Sequence, residues 1–502
     1  MNKNFLIILL VILLPTWAGA QNFEDAYRYS SGKIEGSARS GAMGNAFGAL
    51  GNDFTGVGIN PAGLGIYRTS EFSLTPGFNM TEINSSYIGN TMQENNYKPG
   101  MGNLGYVAVL NSGKNNQSGL VSVNLGIGYN RLKDFNSYAI TQAFDAKSSF
   151  LDHMAENANY GEWSEYYEDL AWETYLLDKT DEGYYFSDME TARGSSQYKG
   201  HYQRKSFDRA GTMDEYTLGV GFNFNHRFYL GASLGVVDLY YKEFTTLTEK
   251  DLDGTIPYLN DFEFNQSLRT YGTGYNFKIG AIFKPINSLR IGASLATPTV
   301  LGLNDKFETG INSSVTWDDN STEKFKKESP FSDYDYELVT PFKATLSGAL
   351  VVGKKGLVSA DIEYVDHSVA KLRKGGDGYD FADQNQDINE IFKAVTNFRV
   401  GGEYRLTDAF SLRAGYELYP SAFNTSAFGK DQFNAKEDYQ VCSVGFGYST
   451  GSFFVDIAYR NSGYTQFNKL YPAPLTSDYP EPQFAQFDQN THKVLFTLGF
   501  RF

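Results

Sequence analysis

The chain has 502 residues, a formal net charge of −15 and a mean hydropathy of −0.39. So acidic a chain is a poor partner for nucleic acid, because phosphates are bound by basic surfaces. Its single cysteine, Cys442, cannot form an internal disulfide. Aromatic residues make up 16% of the sequence, which is typical of the aromatic girdles of a membrane-spanning β-barrel. A barrel also explains the low hydropathy, since polar lumen-facing residues alternate with apolar lipid-facing ones.

Residues 1–20 have the parts of a secretory signal peptide. A short basic start precedes an unbroken apolar run from Phe5 to Leu14, and Ala18-Gly19-Ala20 offers the small residues of a cleavage site. The run is too short to span a membrane as a helix. We therefore predict an exported protein whose mature chain begins near Gln21.

Residues 21–69 precede the first predicted strand and are rich in glycine and alanine between residues 32 and 68. Residues 42–50 favour a short helix. Irregular backbone is not tolerated against lipid, but it can pack inside a wide barrel. We therefore expect this segment to lie inside the barrel formed by residues 70–502.

Residues 70–502 contain about fourteen stretches with strand-like alternation. In the last of them, apolar Val494, Phe496, Leu498, Phe500 and Phe502 alternate with mostly polar or small residues. A strand of about ten residues with one apolar face crosses a bilayer when it is tilted. The terminal phenylalanine resembles the signal by which outer-membrane barrels reach their assembly machinery. The predicted strands lie near residues 70–80, 104–111, 119–134, 214–226, 228–244, 264–284, 288–303, 338–353, 356–372, 396–406, 409–420, 438–450, 452–467 and 492–502.

Short turns and long loops alternate between the predicted strands, which indicates a bacterial barrel with its turns in the periplasm and its loops outside. An even strand number places both termini in the periplasm. The predicted fold class is therefore all-β, a transmembrane antiparallel β-barrel of about fourteen strands. The predicted long loops are residues 81–103, 135–213, 245–263, 304–337, 373–395, 421–437 and 468–491.

The loop at 135–213 is too long to lack secondary structure, and we predict that it is partly helical. Its apolar residues recur at intervals of three and four, which indicates helices with one apolar stripe. These helices either form a hydrophobic groove over the barrel mouth or pack onto the rim. The candidate groove residues are Phe150, Leu151, Met154, Trp163, Tyr167 and Leu170.

Other chemistry is sparse. Residues 377–390 resemble a calcium loop in their acidic and amide side chains, but Ile388 occupies the glycine position, so we expect a solvated external loop. The five histidines show no metal-ligand spacing, and no nucleophile elbow occurs. We predict no catalytic residue, no metal, no cofactor and no enzymatic activity.

Charged residues of both signs fall on the polar faces of the predicted strands. An unpaired buried charge is costly, so we expect most of them to pair with each other or with residues 21–69. They are Arg290, Asp361, Glu363, Arg399, Glu403, Arg405, Arg413, Glu417, Asp456 and Arg460.

Two motifs resemble the FadL/TodX family of outer-membrane transporters: G-S-A-R-S-G-A-M-G-N-A-F at residues 36–47 and N-P-A-G-L at residues 60–64. The resemblance implies that residues 21–69 form a hatch inside the barrel, with Asn60, Pro61, Ala62 and Gly63 as its motif. It also implies a sideways exit at a kink in the third strand, where Gly126 and Gly128 are the candidates. Alternatively, these glycines are small lumen residues that leave room for the hatch.

The function implied by the resemblance is passive, porin-like uptake of hydrophobic molecules, long-chain fatty acids foremost, across the bacterial outer membrane. Aromatic hydrocarbons, haem, or surface adhesion through the long loops are the alternatives, and haem would require His153 or His201 at the mouth. The expected partners are a hydrophobic ligand, outer-membrane lipid and lipopolysaccharide, and the barrel-assembly machinery through Phe502. The protein is expected to be a monomer.

Overall fold

The computed structural model describes residues 22–111, 119–353, 355–424, 438–474, 476 and 479–502, so the predicted signal peptide lies outside the described residues. Most of this chain is β-strand, because its side chains alternate between two faces. Fourteen strands form the barrel wall. They are β1 Glu71–Tyr87, β2 Asn90–Asn111, β3 Leu120–Asp134 continued by Ser137–Ala146, β4 His201–Phe224, β5 Phe228–Lys250, β6 Leu259–Ile286, β7 Leu289–Ala296 continued by Val300–Thr316, β8 Ser332–Val339 continued by Lys343–Val352, β9 Gly356–Asp366 continued by Lys371–Arg373, β10 Ala394–Arg405, β11 Phe410–Tyr419, β12 Tyr439–Thr450, β13 Phe453–Lys469 and β14 Phe484–Arg501.

The sheet is closed, because β1 pairs with both β2 and β14. Every pairing between neighbouring strands is antiparallel. The predicted fourteen-stranded antiparallel barrel is confirmed. Phe502 follows β14, is 70% exposed, and donates its backbone N–H to the carbonyl oxygen of Ser70.

The membrane-facing part of each long strand is much shorter than the strand. β5 has 23 residues, but its exposed apolar face is continuous only from Phe228 through Leu234 to Val236, with an isolated Phe244 farther along. Asp238 and Lys242 follow on the same face. A span of about ten residues is what a tilted strand needs to cross the hydrocarbon core. The remaining length of β5 therefore continues the barrel wall beyond the membrane.

Several predicted loops are extensions of these strands. The prediction of a long loop at residues 81–103 was wrong, because β1 and β2 pair up to Tyr87 and Asn90 and a two-residue turn joins them. The turn residues Ile88 and Gly89 both have positive φ, as a type I′ turn requires. Isoleucine is rarely found at such a position, so the residues at 88 and 89 do not predict a turn. A hairpin strand, Thr322–Glu328, also lies within the predicted loop at 304–337.

Three short helices lie in the 135–213 region: α4 Phe150–Asn159, α5 Glu168–Glu173 and α6 Asp188–Arg193. α4 begins with a capping box, in which Ser149 and Asp152 bond to each other's backbone N–H groups. Its apolar face packs on the barrel rim at Phe262 and Leu247. No helix among the described residues is long and apolar enough to cross a membrane.

The expected solvated loop at 377–390 contains a helix, α7 Ala382–Ile391, most of whose residues are exposed. Ile388 of this helix is fully buried, in a cluster that includes Ala26 and Tyr29 of the N-terminal chain. Ile388 thus anchors one face of α7, while the acidic side chains remain exposed. The described residues contain no cluster of His, Cys, Asp and Glu that could hold a metal ion.

Residues 22–69, named here the N-terminal segment, lie against the inner wall. They contain α1 Phe23–Ser30, α2 Ala38–Ala42, α3 Thr55–Ile59 and a 3-10 helix at Pro61–Ile66. Asn22 caps α1, since its side-chain oxygen accepts a bond from the Asp25 N–H at 3.1 Å. Met43, Phe54 and Leu64 are almost wholly buried. The segment therefore packs like a protein core, although it contains little regular structure.

Twelve wall glycines, named here the glycine collar, make this packing possible. A Cβ added at any of them would lie closer than 3.0 Å to an atom of the N-terminal segment. At Gly231, Gly401 and Gly415 the nearest atoms belong to the segment's backbone, so no side chain could move aside to make room. The collar consists of Gly102, Gly105, Gly126, Gly128, Gly219, Gly221, Gly231, Gly280, Gly292, Gly401, Gly415 and Gly445.

Candidate functional site

The barrel encloses a cavity of about 650 Å³ between the N-terminal segment and the wall. The first residues of the segment, from Phe23 to Glu35, form one side of it. The opposite side carries apolar and aromatic side chains such as Phe135, Met213 and Tyr439, interspersed with charged groups. A pocket with an apolar surface and a few polar groups is the usual form of a small-molecule site.

Most charges in the cavity are neutralised by ion pairs. Arg399 pairs with Glu363 at 3.3 Å, Lys278 pairs with Glu215 at 2.6 Å, and Arg460 pairs with Glu417 at 2.5 Å. The prediction that charged lumen residues pair with one another is confirmed for Asp361, Glu363, Arg399, Glu403, Arg413, Glu417, Asp456 and Arg460.

One junction of the wall is not fully hydrogen-bonded. The ladder between β2 and β3 begins at the Asn111–Ser122 pair and ends at the Asn103–Asn130 pair. Beyond it, β2 continues to Asn90 beside β1, and β3 continues to Ala146 beside β4. We name this unpaired stretch, between residues 90–102 of β2 and 131–146 of β3, the seam. The cavity reaches it, since residues 132–137 of β3 and Asn96 and Lys98 of β2 line the cavity.

Residues 28–35 of the N-terminal segment, named here the strap, cover the β3 side of the seam. The backbone N–H groups of Lys33 and Glu35 donate to the carbonyl oxygens of Leu132 and Arg131, at 2.8 and 2.9 Å. These two carbonyls lie just beyond the last β2–β3 pair, so the strap satisfies acceptors that β2 leaves unpaired. Burial lowers the pKa of Lys33 to about 8, and the nearby Lys343 ammonium acts in the same direction.

The Asn60-Pro61-Ala62-Gly63 motif fastens the N-terminal segment to the wall. The Asn60 amide donates to the carbonyl oxygen of Gly48 at 2.7 Å and to that of Ala281 in β6 at 3.2 Å. Its side-chain oxygen caps the 3-10 helix by accepting from the Ala62 N–H at 3.0 Å. Pro61 takes the first helical position, where no N–H is needed, and Gly63 is buried beside it.

Replacing Asn60 by alanine will loosen this attachment. The substitution leaves the Gly48 carbonyl without its side-chain donor, at a cost of about 1–3 kcal/mol. We expect faster trypsin cleavage after Lys33 and Arg39 in the purified barrel, measured by mass spectrometry of the released peptides. Asn95→Ala, at an exposed position of β2, is the matched control. Equal cleavage in the two variants would contradict the role given to Asn60.

The structure places Gly126 and Gly128 in fully paired wall. Both residues pair with β2 on one side and with β4 on the other, so the wall does not open at these two positions. Instead they give room to Leu64 and Phe54 of the N-terminal segment. The seam begins after Asn130, two residues farther along β3. No local pattern near Asn130 marks it, because its position depends on where β2 and β3 stop pairing.

Most of the candidate groove residues lie in packed core. Leu151, Met154 and Leu170 are fully buried and Phe150 is nearly so, and Tyr167 packs against the same cluster. These five side chains therefore form no open groove in this structure. Trp163 alone is exposed, at 42%, and it contacts the rings of Trp172 and Tyr185.

The lysines at the strap were missed by sequence reasoning. Lys33, Lys133 and Lys343 line the cavity, and none forms an ion pair with a carboxylate in the described ranges. In the sequence these lysines cannot be distinguished from the paired lumen cations. The carboxylate that neutralises a lumen cation belongs to another part of the chain, so pairing is not visible in the local sequence.

Comparison with solved structures found proteins of similar fold. Two solved structures match along nearly their whole length: the P. putida toluene transporter TodX, with 14% identity, coverage of 94% of this chain and 99% of that chain and a TM-score of 0.50, and a Pseudomonas aeruginosa FadL homologue, with 14% identity, coverage of 93% and 98% and a TM-score of 0.52. At this identity they show a shared fold. The comparison with curated proteins gave no match.

A family-level match covers more than half of the chain. Residues 209–501 match the model of the family described as outer membrane protein transport protein (OMPP1/FadL/TodX). This region runs from within β4 to the end of β14, so the match depends on the barrel wall rather than on the N-terminal motifs. With its closed fourteen-stranded barrel and an internal cavity, the chain belongs to this family of outer-membrane transport proteins.

Proposed function

We propose that the protein is a passive channel that takes up small hydrophobic molecules across the bacterial outer membrane. The observation that carries the proposal is the continuity between the internal cavity and the seam. A molecule in the cavity would meet Asn96 and Lys98 of β2 on one side and residues 132–137 of β3 on the other. It would leave sideways between these strands, without passing the glycine collar.

The N-terminal segment would act as the hatch of this channel. Its inner part, residues 37–66, is fixed by the collar, by Asn60 and by ion pairs to the wall. The strap covers the β3 side of the seam, so it is the part whose displacement would open the exit. A ligand moves it only by binding better to the displaced state.

Capture from outside would begin on exposed aromatic side chains. Trp163, Trp172 and Tyr185 contact one another near α5, and both tryptophans are substantially exposed. The solved relatives named above include a toluene transporter, which favours a hydrophobic ligand here. Haem is less favoured, because His201 is buried against Glu249 and neither His153 nor His201 lines the cavity.

The proposal is tested by uptake in cells that lack their own transporters for hydrophobic molecules. We expect the native chain to import radiolabelled oleate or toluene. Asn96→Trp fills the cavity side of the seam and should abolish most of the uptake. Asn95→Trp places the same ring on the opposite face of β2 and should leave uptake intact, at equal surface expression. Uptake of neither probe by the native chain would refute the channel, and equal uptake by both variants would refute the seam as the exit.

A further inference from the structure

Three cations lie side by side on the outer face of the barrel wall. Lys242 of β5 is the direct register partner of Arg269 of β6, and Arg269 is the partner of Lys306 of β7. We name these three residues the cationic row. They share a face with exposed apolar residues of their strands, such as Leu234 and Tyr275, because side chains on one face recur at every second residue. The row therefore faces outward, although the whole chain has a net charge of −15.

The row is short of negative charge. Like charges directly opposite each other on neighbouring strands destabilise a sheet. Lys306 lies 3.7 Å from a carboxylate oxygen of Asp333. In the part of the chain that the structure describes, Lys242 and Arg269 have no carboxylate within 4.0 Å, and Glu308, on the same face of β7 as Lys306, forms no ion pair with the row. An anion bound at the row would relieve the repulsion.

The row lies at the outer edge of the membrane-spanning band. The continuous apolar face of β5 ends at Val236, and Lys242 follows on the side away from the short turn at 225–227. Between them, the rings of Tyr240 and Tyr271 contact each other, with their centres 5.2 Å apart. Aromatic residues form girdles at the two membrane–water interfaces. The row is therefore at the level of the head groups of the outer leaflet.

A shallow depression adjoins the row on its membrane side. Tyr271 and Thr273 of β6 line one side of it, and Gly302 and Asn304 of β7 line the other, with Asp335 on the β8 side. Gly302 keeps the depression open, because a Cβ there would have no atom closer than 3.9 Å. The hydroxyl and amide groups can form hydrogen bonds, and the tyrosine ring offers an apolar face. The depression therefore suits a sugar directly beside the cations.

We propose that the cationic row binds a phosphate of lipid A, the phosphorylated glucosamine disaccharide that anchors lipopolysaccharide in the outer leaflet. The Arg269 guanidinium makes the bidentate contact that suits a phosphate, and the ammonium groups of Lys242 and Lys306 flank it. The sugar rests in the depression, and the acyl chains follow the apolar band below Tyr271. The site lies outside the barrel and does not depend on the proposed transport.

The test measures which lipids stay bound to the purified barrel in detergent, by native mass spectrometry. Three lipids are compared: lipid A with its phosphates, lipid A from which the phosphates have been removed, and phosphatidylglycerol. We expect the native barrel to retain phosphorylated lipid A at least about tenfold better than the dephosphorylated form, because it alone forms charge-assisted hydrogen bonds to the row. Phosphatidylglycerol has the charge but not the sugar and should be retained less well than phosphorylated lipid A.

Variants assign the binding to the row. Lys242→Gln combined with Arg269→Gln should lower retention of phosphorylated lipid A about tenfold and leave that of the dephosphorylated form unchanged. Arg227→Gln combined with Arg405→Gln is the matched control, because it removes the same charge from two exposed positions beside the short turns at the other end of the barrel. This control should retain lipid A like the native protein.

Each contrary outcome removes a stated part of the proposal. Equal retention of the two forms of lipid A by the native barrel would overturn the phosphate site. An equal loss in the two double variants would overturn its placement on β5 and β6. Equal retention of phosphatidylglycerol, or complete displacement of lipid A by an equimolar amount of inorganic phosphate, would overturn lipid A as the occupant.

Discussion

Valine at Gly231, Gly401 and Gly415 will expel residues 42–62 from the collar and open the barrel to small polar solutes. At each position a Cβ would meet backbone atoms of Pro61, Met43 or Gly44 closer than 3.0 Å. Overpacking of this kind costs about 1–3 kcal/mol per site. We expect the combined cost of three sites to exceed the free energy that holds the N-terminal segment, which has little regular structure, against the wall. We expect the triple variant to show steady conductance in planar lipid bilayers and the native barrel to show little.

The control for this experiment is Gly348→Val. Gly348 lies in β8 of the same wall, but a Cβ there would have no neighbour within 4 Å. It should conduct like the native protein. Both variants must first show the heat-dependent gel migration of a folded barrel. A folded triple variant without added conductance would mean that the N-terminal segment does not seal the lumen.

Glu403→Gln will destabilise the whole barrel more than any exposed substitution. Glu403 accepts from Arg39 of the N-terminal segment at 3.0 Å and from Arg413 of β11 at 2.7 Å. Arg413 also pairs with Asp456, so the charges form one buried network. A neutral amide leaves the guanidinium groups short of one negative charge, and breaking a buried pair costs about 3–5 kcal/mol. We expect a lower urea midpoint in lipid vesicles, followed by tryptophan fluorescence.

Glu337→Gln is the matched control. Glu337 also accepts from two cations, Arg373 and Lys374, but these side chains are 45% and 66% exposed. Exposed pairs contribute about 1 kcal/mol or less, so its urea midpoint should stay near that of the native barrel. Similar decreases in the urea midpoint of the two variants would show that the ion-pair network around Glu403 is not isolated from water.

The sequence predicted the barrel because the signal for each spanning strand is local. Phe398, Val400, Phe410 and Leu412 alternate with polar residues within single strands, and no distant partner is needed to recognise them. The outer extensions of the strands lack this signal. Beyond the membrane both faces of a strand meet water or protein, as at Asp238 and Lys242 of β5, so residues that pair were predicted as loops.

The site was harder to predict, because it depends on which strands meet. Whether a lumen lysine is neutralised depends on a partner 63 residues away in the case of Lys278 and Glu215. The seam exists because β2 and β3 stop pairing at Asn103 and Asn130, while each continues beside its other neighbour. Neither property is visible in the local pattern of residues.

The glycine collar has a consequence for how the protein matures. Its twelve members come from nine different strands, so the surface that receives the N-terminal segment is complete only when strands from β2 to β12 are in place. The segment precedes every strand in the chain, yet its complete packing surface includes β12, the twelfth of the fourteen strands. Contacts so distant in sequence form slowly. We therefore expect the N-terminal segment to complete its packing late in folding, after most of the barrel wall has formed.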